Sequence, residues 1–191
     1  MGRVTEGLMI LNILFYIVET LLNGGNFLSI GTGVLIRLGQ VNYLVLHGYW
    51  WQLLTSMFVH VNLIHIALNM YFFYILGRQL ETLVGGKVVV VTYLLSGLTG
   101  NVLSLFLLPP YTISAGASGA IFGIAGALIM IGGLVTGNVQ NALVNAFVLF
   151  LVNSWMPMVN AFAHLGGLLA GLTIGYLYGR KLRVVIYYEP I

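Results

Sequence analysis

Residues 88–178 contain no Lys, Arg, Asp or Glu. A bilayer crossing takes about 20 apolar residues, so a stretch this long implies several crossings joined by turns. The whole chain of 191 residues agrees, with 60% hydrophobic residues, only 6% charged ones and a mean hydropathy of +1.02. That composition lies outside the range of soluble domains and defines a polytopic membrane protein. Seven scattered basic residues give no nucleic-acid surface. The absence of cysteine rules out disulfides, thiolate catalysis and cysteine-ligated metals.

Six spans are expected, over residues 8–22, 61–76, 88–108, 117–134, 139–155 and 161–178, which makes the chain all-α. Turn residues separate them: Asn23-Gly24-Gly25, Gly85-Gly86, Pro109-Pro110, Gly137-Asn138 and residues 157–160, which open on Pro157. The first span holds Asn12 and Glu19 and no small-residue cleavage site follows it, so it reads as a span and not as a leader. A long first loop, residues 23–50, mixes apolar residues with glycine and ends in Tyr49-Trp50-Trp51. It is expected to be a structured element at the membrane surface, with the aromatics in the interfacial belt.

With six spans both termini share a side. That side receives Arg3, Arg78, Lys87, Arg180, Lys181 and Arg183, and the other receives Arg37 alone. The imbalance predicts cytoplasmic termini. The first loop and the turns at Pro109-Pro110 and 157–160 then face the outer side.

Polar groups gather at one depth below that face. Ser118 lies just inside the fourth span, between Gly116 and Gly119, and His164 lies equally far into the sixth. His60, His65 and Asn69 occupy the outer half of the second. Residues 65 and 69 are four apart and share a helical face, whereas His60 is rotated away and is expected at the mouth. An imidazole within a span marks a functional site by default. Small residues at 116, 119, 123 and 126 also suit ordinary helix packing, and His65 and Asn69 also suit interhelical hydrogen bonds. A metal site is the competing account of the histidines, but the five-residue spacing of His60 and His65 is not that of a zincin helix, and no acidic ligand lies nearby.

Serine and histidine together fit a hydroxyl nucleophile activated by a general base. The chain has no Asp, and its glutamates are Glu6, Glu19, Glu81 and Glu189, none placed to orient His164. A hydrolase built on these residues is therefore a Ser118/His164 dyad. Oxyanion donors are then expected from His65, Asn69 and the Ser118 backbone N–H.

Three motifs carry a resemblance to the rhomboid intramembrane serine proteases: Gly116-Ala117-Ser118-Gly119, the second-span set His60, His65 and Asn69, and the sixth-span set His164, Gly167 and Gly171. The resemblance covers nearly the whole chain as a single domain, residues 1–191. It implies a six-helix bundle with a water-filled cavity open to the outside, in which Ser118 attacks, His164 is the base and His65 and Asn69 support the oxyanion. It further implies that His60 organises the site and that Glu81 is structural. Single-span membrane proteins are the implied substrates, with small residues at the cut; no cofactor, metal or nucleic acid is called for. The chain resembles the minimal core typical of bacterial and archaeal members.

Two positions depart from the family pattern. Gln52 stands where many rhomboids have arginine after the loop tryptophan, and Phe122 stands where some have a tyrosine packed on the histidine. A phenyl ring is still expected to stack on His164. Gly167, Gly171 and Gly175 recur every four residues and are expected to let the sixth span approach the fourth closely. The alternatives are an inactive rhomboid-like protein that binds membrane helices, and a transporter; against the latter, the halves show no repeat and no broken-helix pair.

Overall fold

The computed structural model describes residues 3–154 and 159–188. Among them lie nine helices and one short ribbon: α1 (Arg3–Leu22), α2 (Thr32–Leu38), β1 (Gln40–Val41), α3 (Asn42–Leu46), α4 (Gln52–Thr55), α5 (Leu63–Val84), α6 (Gly86–Leu107), β2 (Ile113–Ser114), α7 (Ser118–Val135), α8 (Val139–Ser154) and α9 (Ala161–Tyr188). The six long helices fall where the hydrophobic runs place them. Trp155 and Pro157, which mark the expected end of the fifth span and the turn after it, lie outside the described residues. Four of the helices are long and apolar enough to cross a membrane, over Arg3–Leu22, Gly86–Leu107, Ser118–Val135 and Ala161–Leu182; α8 is apolar but shorter.

Helix α1 is inside-out relative to a helix of a water-soluble fold. The buried side chains of α1 are Thr5, Asn12, Tyr16 and Glu19, whereas Ile10, Ile13, Leu14, Ile17, Val18 and Leu21 are exposed. In lipid there is no gain from burying leucine, and polar groups must find partners inside. They do so here. The Asn12 amide donates to the Tyr93 hydroxyl at 3.1 Å, and that hydroxyl donates to the Met57 carbonyl at 3.2 Å. At the opposite end of α1, the Glu81 carboxylate accepts from the Val4 and Thr5 N–H groups (3.1 and 3.0 Å) and from the Thr5 hydroxyl at 2.6 Å. It thus caps the first turn, where a helix has unpaired donors.

Helix α7 is the central element, with twelve of its residues buried. Its glycines set how near the neighbouring helices come. A Cβ on Gly167 would fall on the Gly119 carbonyl oxygen, one on Gly171 on the Gly123 carbonyl oxygen, and one on Gly175 would lie 2.5 Å from the Ala127 carbonyl oxygen. The close α7–α9 approach expected from the glycine spacing is therefore present.

Residues 23–62 hold α2, α3 and α4 and strand β1. The ribbon departs from an all-helical chain: β1 pairs antiparallel with β2, Gln40 opposite Ser114. It ties the segment before α5 to the segment before α7. Gln52 is fully buried; its oxygen accepts from the Val41 N–H at 2.9 Å and its amide donates to the Ile36 carbonyl at 2.7 Å. A neutral amide suits that place, since it must donate and accept at once.

Candidate active site

Ser118 opens α7 and is half-buried. The turn into it depends on Gly116, whose φ of +130° disfavours any side chain. The Gly116 N–H donates to the Ser56 carbonyl at 2.9 Å. A methyl placed on Gly116 would also meet the His65 ring, 2.7 Å from Cε1 and 2.9 Å from Nε2. One glycine thus sets both the backbone turn before Ser118 and the approach of His65. The first intrahelical bond of α7 runs from Ile121 N–H to Ala117, so the helix opens on free amides at the end where its dipole is positive.

His65 and Asn69 both lie on α5, and the Asn69 amide donates to the His65 carbonyl at 2.8 Å. Asn62 caps the helix, its side chain accepting from the His65 N–H at 2.7 Å. The expected common face is present, with Asn69 buried and His65 half-buried.

His60 requires a correction: it is fully buried, not at the mouth. Helical rotation does not apply to it, because α5 begins only after its cap Asn62 and His60 precedes the helix. Its N–H donates to the Glu19 carboxylate at 3.1 Å, its Nδ1 pairs with the Phe58 carbonyl at 3.0 Å, and its ring meets that of His65 edge-on at 5.2 Å between centroids. Glu19 of α1 therefore accepts, from a fully buried position, a bond from the segment that precedes α5.

His164 enters from α9. Its ring stacks on Phe122 with centroids 3.9 Å apart and planes 15° apart. Phe122 lies one turn below Ser118, on the same face of α7. Beside it, the Ala163 carbonyl oxygen lies 3.1 Å from where a Cβ on Gly119 would be. These contacts bring residues 118–119 and 163–164 side by side. Among the described residues His164 makes its one side-chain hydrogen bond with Ser154 of α8, Nδ1 to Oγ at 2.9 Å, and none with Ser118.

Two residues at the site escape a reading of the sequence. Asn160 immediately precedes α9: its Oδ1 accepts from the Ala163 N–H at 2.9 Å and from the Ser104 hydroxyl at 3.1 Å, while its amide donates to the Ser114 hydroxyl at 2.8 Å. It joins the His164 helix to α6 and β2. Its signal is an Asn three residues before the first helical turn closes, a common cap. Ser154 has no comparable signal. No group of three or more His, Asp or Glu side chains that could hold a metal is present among the described residues.

A polytopic helical membrane protein with a serine at the start of α7, a histidine of α9 stacked on Phe122 one turn further along α7, and a histidine and an asparagine on one face of α5 is thus the class that fold and site define. The chain belongs to the rhomboid family: the Rhomboid domain model matches residues 47–181. It is 33% identical over 159 residues to RHOMBOID-like protein 6, mitochondrial, of Arabidopsis thaliana, covering 79% of this chain and 52% of that protein. It is 33% identical over 168 residues to Rhomboid protease GluP of Bacillus subtilis (strain 168), covering 83% of this chain and 31% of that one. Against Rhomboid-like protease 3 of Toxoplasma gondii it is 34% identical over 140 residues, covering 69% and 53%. The chain therefore spans between 31% and 53% of the length of these relatives.

Proposed function

We propose that this protein is an intramembrane serine endopeptidase that cleaves single-span membrane proteins with a Ser118/His164 dyad. The observation that supports the reading is the stacking of His164 on Phe122, one turn along α7 from Ser118 at that helix's N-terminus. The family and the protease names of two relatives support it.

In the reaction, Ser118 Oγ adds to the scissile carbonyl carbon and its proton passes to Nε2 of His164. The carbonyl electron pair moves onto oxygen, where the Ser118 N–H, the second amide hydrogen of Asn69 and His65 Nε2–H are the donors. Collapse breaks the C–N bond and returns the proton from His164 to the leaving amine. Water then repeats the two steps on the acyl-enzyme. His60 serves as a buried support for the His65 ring.

All six long helices cross the membrane in this reading, α5 and α8 included. Both termini are cytoplasmic, the site opens to the outer side of a prokaryotic cell membrane, and residues 23–62 lie at the outer surface. A fluorophosphonate probe tests the chemistry: it should label Ser118, lose the label in Ser118→Ala, and label His164→Ala far more slowly. Undiminished labelling of His164→Ala would remove His164 from the role of base.

A further inference from the structure

Helix α8 buries little. Its buried residues are Ala142, Ala146 and Ser154, while Leu143, Val144, Phe147, Val148, Leu151 and Val152 face outward. Ser154 is the one polar side chain among them, and it is the hydrogen-bond partner of His164.

A hydroxyl or amide within a helix ordinarily bonds to the carbonyl four residues back. Thr99, Asn153 and Thr173 all do so in this chain. Ser154, 8% exposed, instead reaches across to Nδ1 of the histidine at 2.9 Å. Among the described residues no carboxylate bonds His164, and a neutral hydroxyl occupies the position of the third group that orients a catalytic base.

We infer that Ser154 is a positioning residue for His164, an inference that rests on the dyad reading above. With Nδ1 engaged by Ser154, Nε2 is the nitrogen left for Ser118. A base needs a lone pair there, so the proton sits on Nδ1 and Ser154 Oγ accepts it. When Ser118 gives up its proton both ring nitrogens become donors, and Ser154 again accepts. The hydroxyl therefore fixes the tautomer before the step and holds the imidazolium after it. The base sits on α9 and its orienting partner on α8, so full activity requires the end of α8 to stay docked on His164.

The test compares parent, Ser154→Ala and Ser154→Thr as purified full chains in detergent, reading reporter cleavage, fluorophosphonate labelling of Ser118 and the nitrogen-15 shifts of His164, assigned by difference from His164→Ala. Ser154→Ala should lower kcat by about 10- to 100-fold with KM unchanged. It should also move the His164 nitrogens away from an Nδ1-protonated pattern, and Ser154→Thr should restore both. Parent kcat in Ser154→Ala, or identical nitrogen shifts in parent and Ser154→Ala, would overturn the inference. If Ser118→Ala cleaves as well as the parent, or neither cleaves, the dyad reading fails separately, and the nitrogen shifts still decide whether Ser154 holds Nδ1.

Discussion

Gly171 of α9 lies directly against the Gly123 carbonyl oxygen of α7, with no room for a methyl group between them. One turn toward the site, Gly167 stands in the same relation to Gly119, and Gly119 adjoins Ser118. Helix separation at these glycines therefore sets the distance between serine and histidine. In lipid such contacts rest on close backbone packing, since water does not drive the helices together.

Gly171→Leu should accordingly insert into the membrane yet lose cleavage, because the larger side chain forces α9 and His164 away from α7. Displacement of this kind by about 1 Å costs on the order of 100-fold in rate. Purified mutant and parent compared at equal folded amounts check this; equal activity would break the link between glycine packing and the site.

Gly116→Ala should be damaging for two independent reasons. A φ of +130° strains an L residue, at about 1–3 kcal/mol, and the new methyl would press on the His65 ring. A lowered unfolding temperature should accompany loss of probe labelling at Ser118. Normal labelling in a protein of parental stability would contradict the geometry.

Asn69→Ala should leave KM near the parental value and lower kcat by about 100- to 1,000-fold, the usual cost of one oxyanion donor. Steady-state cleavage of a reporter separates the two constants. A rise in KM alone would place Asn69 in substrate binding instead.

Gln52→Ala removes a buried amide that both donates and accepts, leaving the Val41 N–H and the Ile36 carbonyl without partners. The expected cost is about 1–3 kcal/mol for each buried group left unpaired. A fall in unfolding temperature measures it, and an unchanged temperature would show that the loop does not depend on this residue.

Much of this arrangement is legible in the sequence, for specific reasons. Runs of apolar residues locate the long helices, because lipid admits backbone only where its hydrogen bonds close within a helix. The four-residue glycine spacing locates the α7–α9 seam, because helical periodicity puts Gly167, Gly171 and Gly175 on one face. What the sequence hides depends on approach between distant elements. His60 precedes its helix, so a helical projection misplaces it, and its burial follows from Glu19 on α1. Ser154 and Asn160 look like ordinary residues at helix ends until α8, β2 and α6 are packed around the start of α9. The pairing of β1 with β2 is two residues long and carries no periodicity to read.

Cleavage of peptide bonds through Ser118 is the proposed activity of this chain. The most direct measurement is cleavage of a single-span membrane reporter by purified protein in liposomes, parent against Ser118→Ala, with both shown to be folded. Cleavage by the parent and none by the mutant is the predicted result. Equal cleavage by both, or none by a parent that also resists the fluorophosphonate probe, would contradict it.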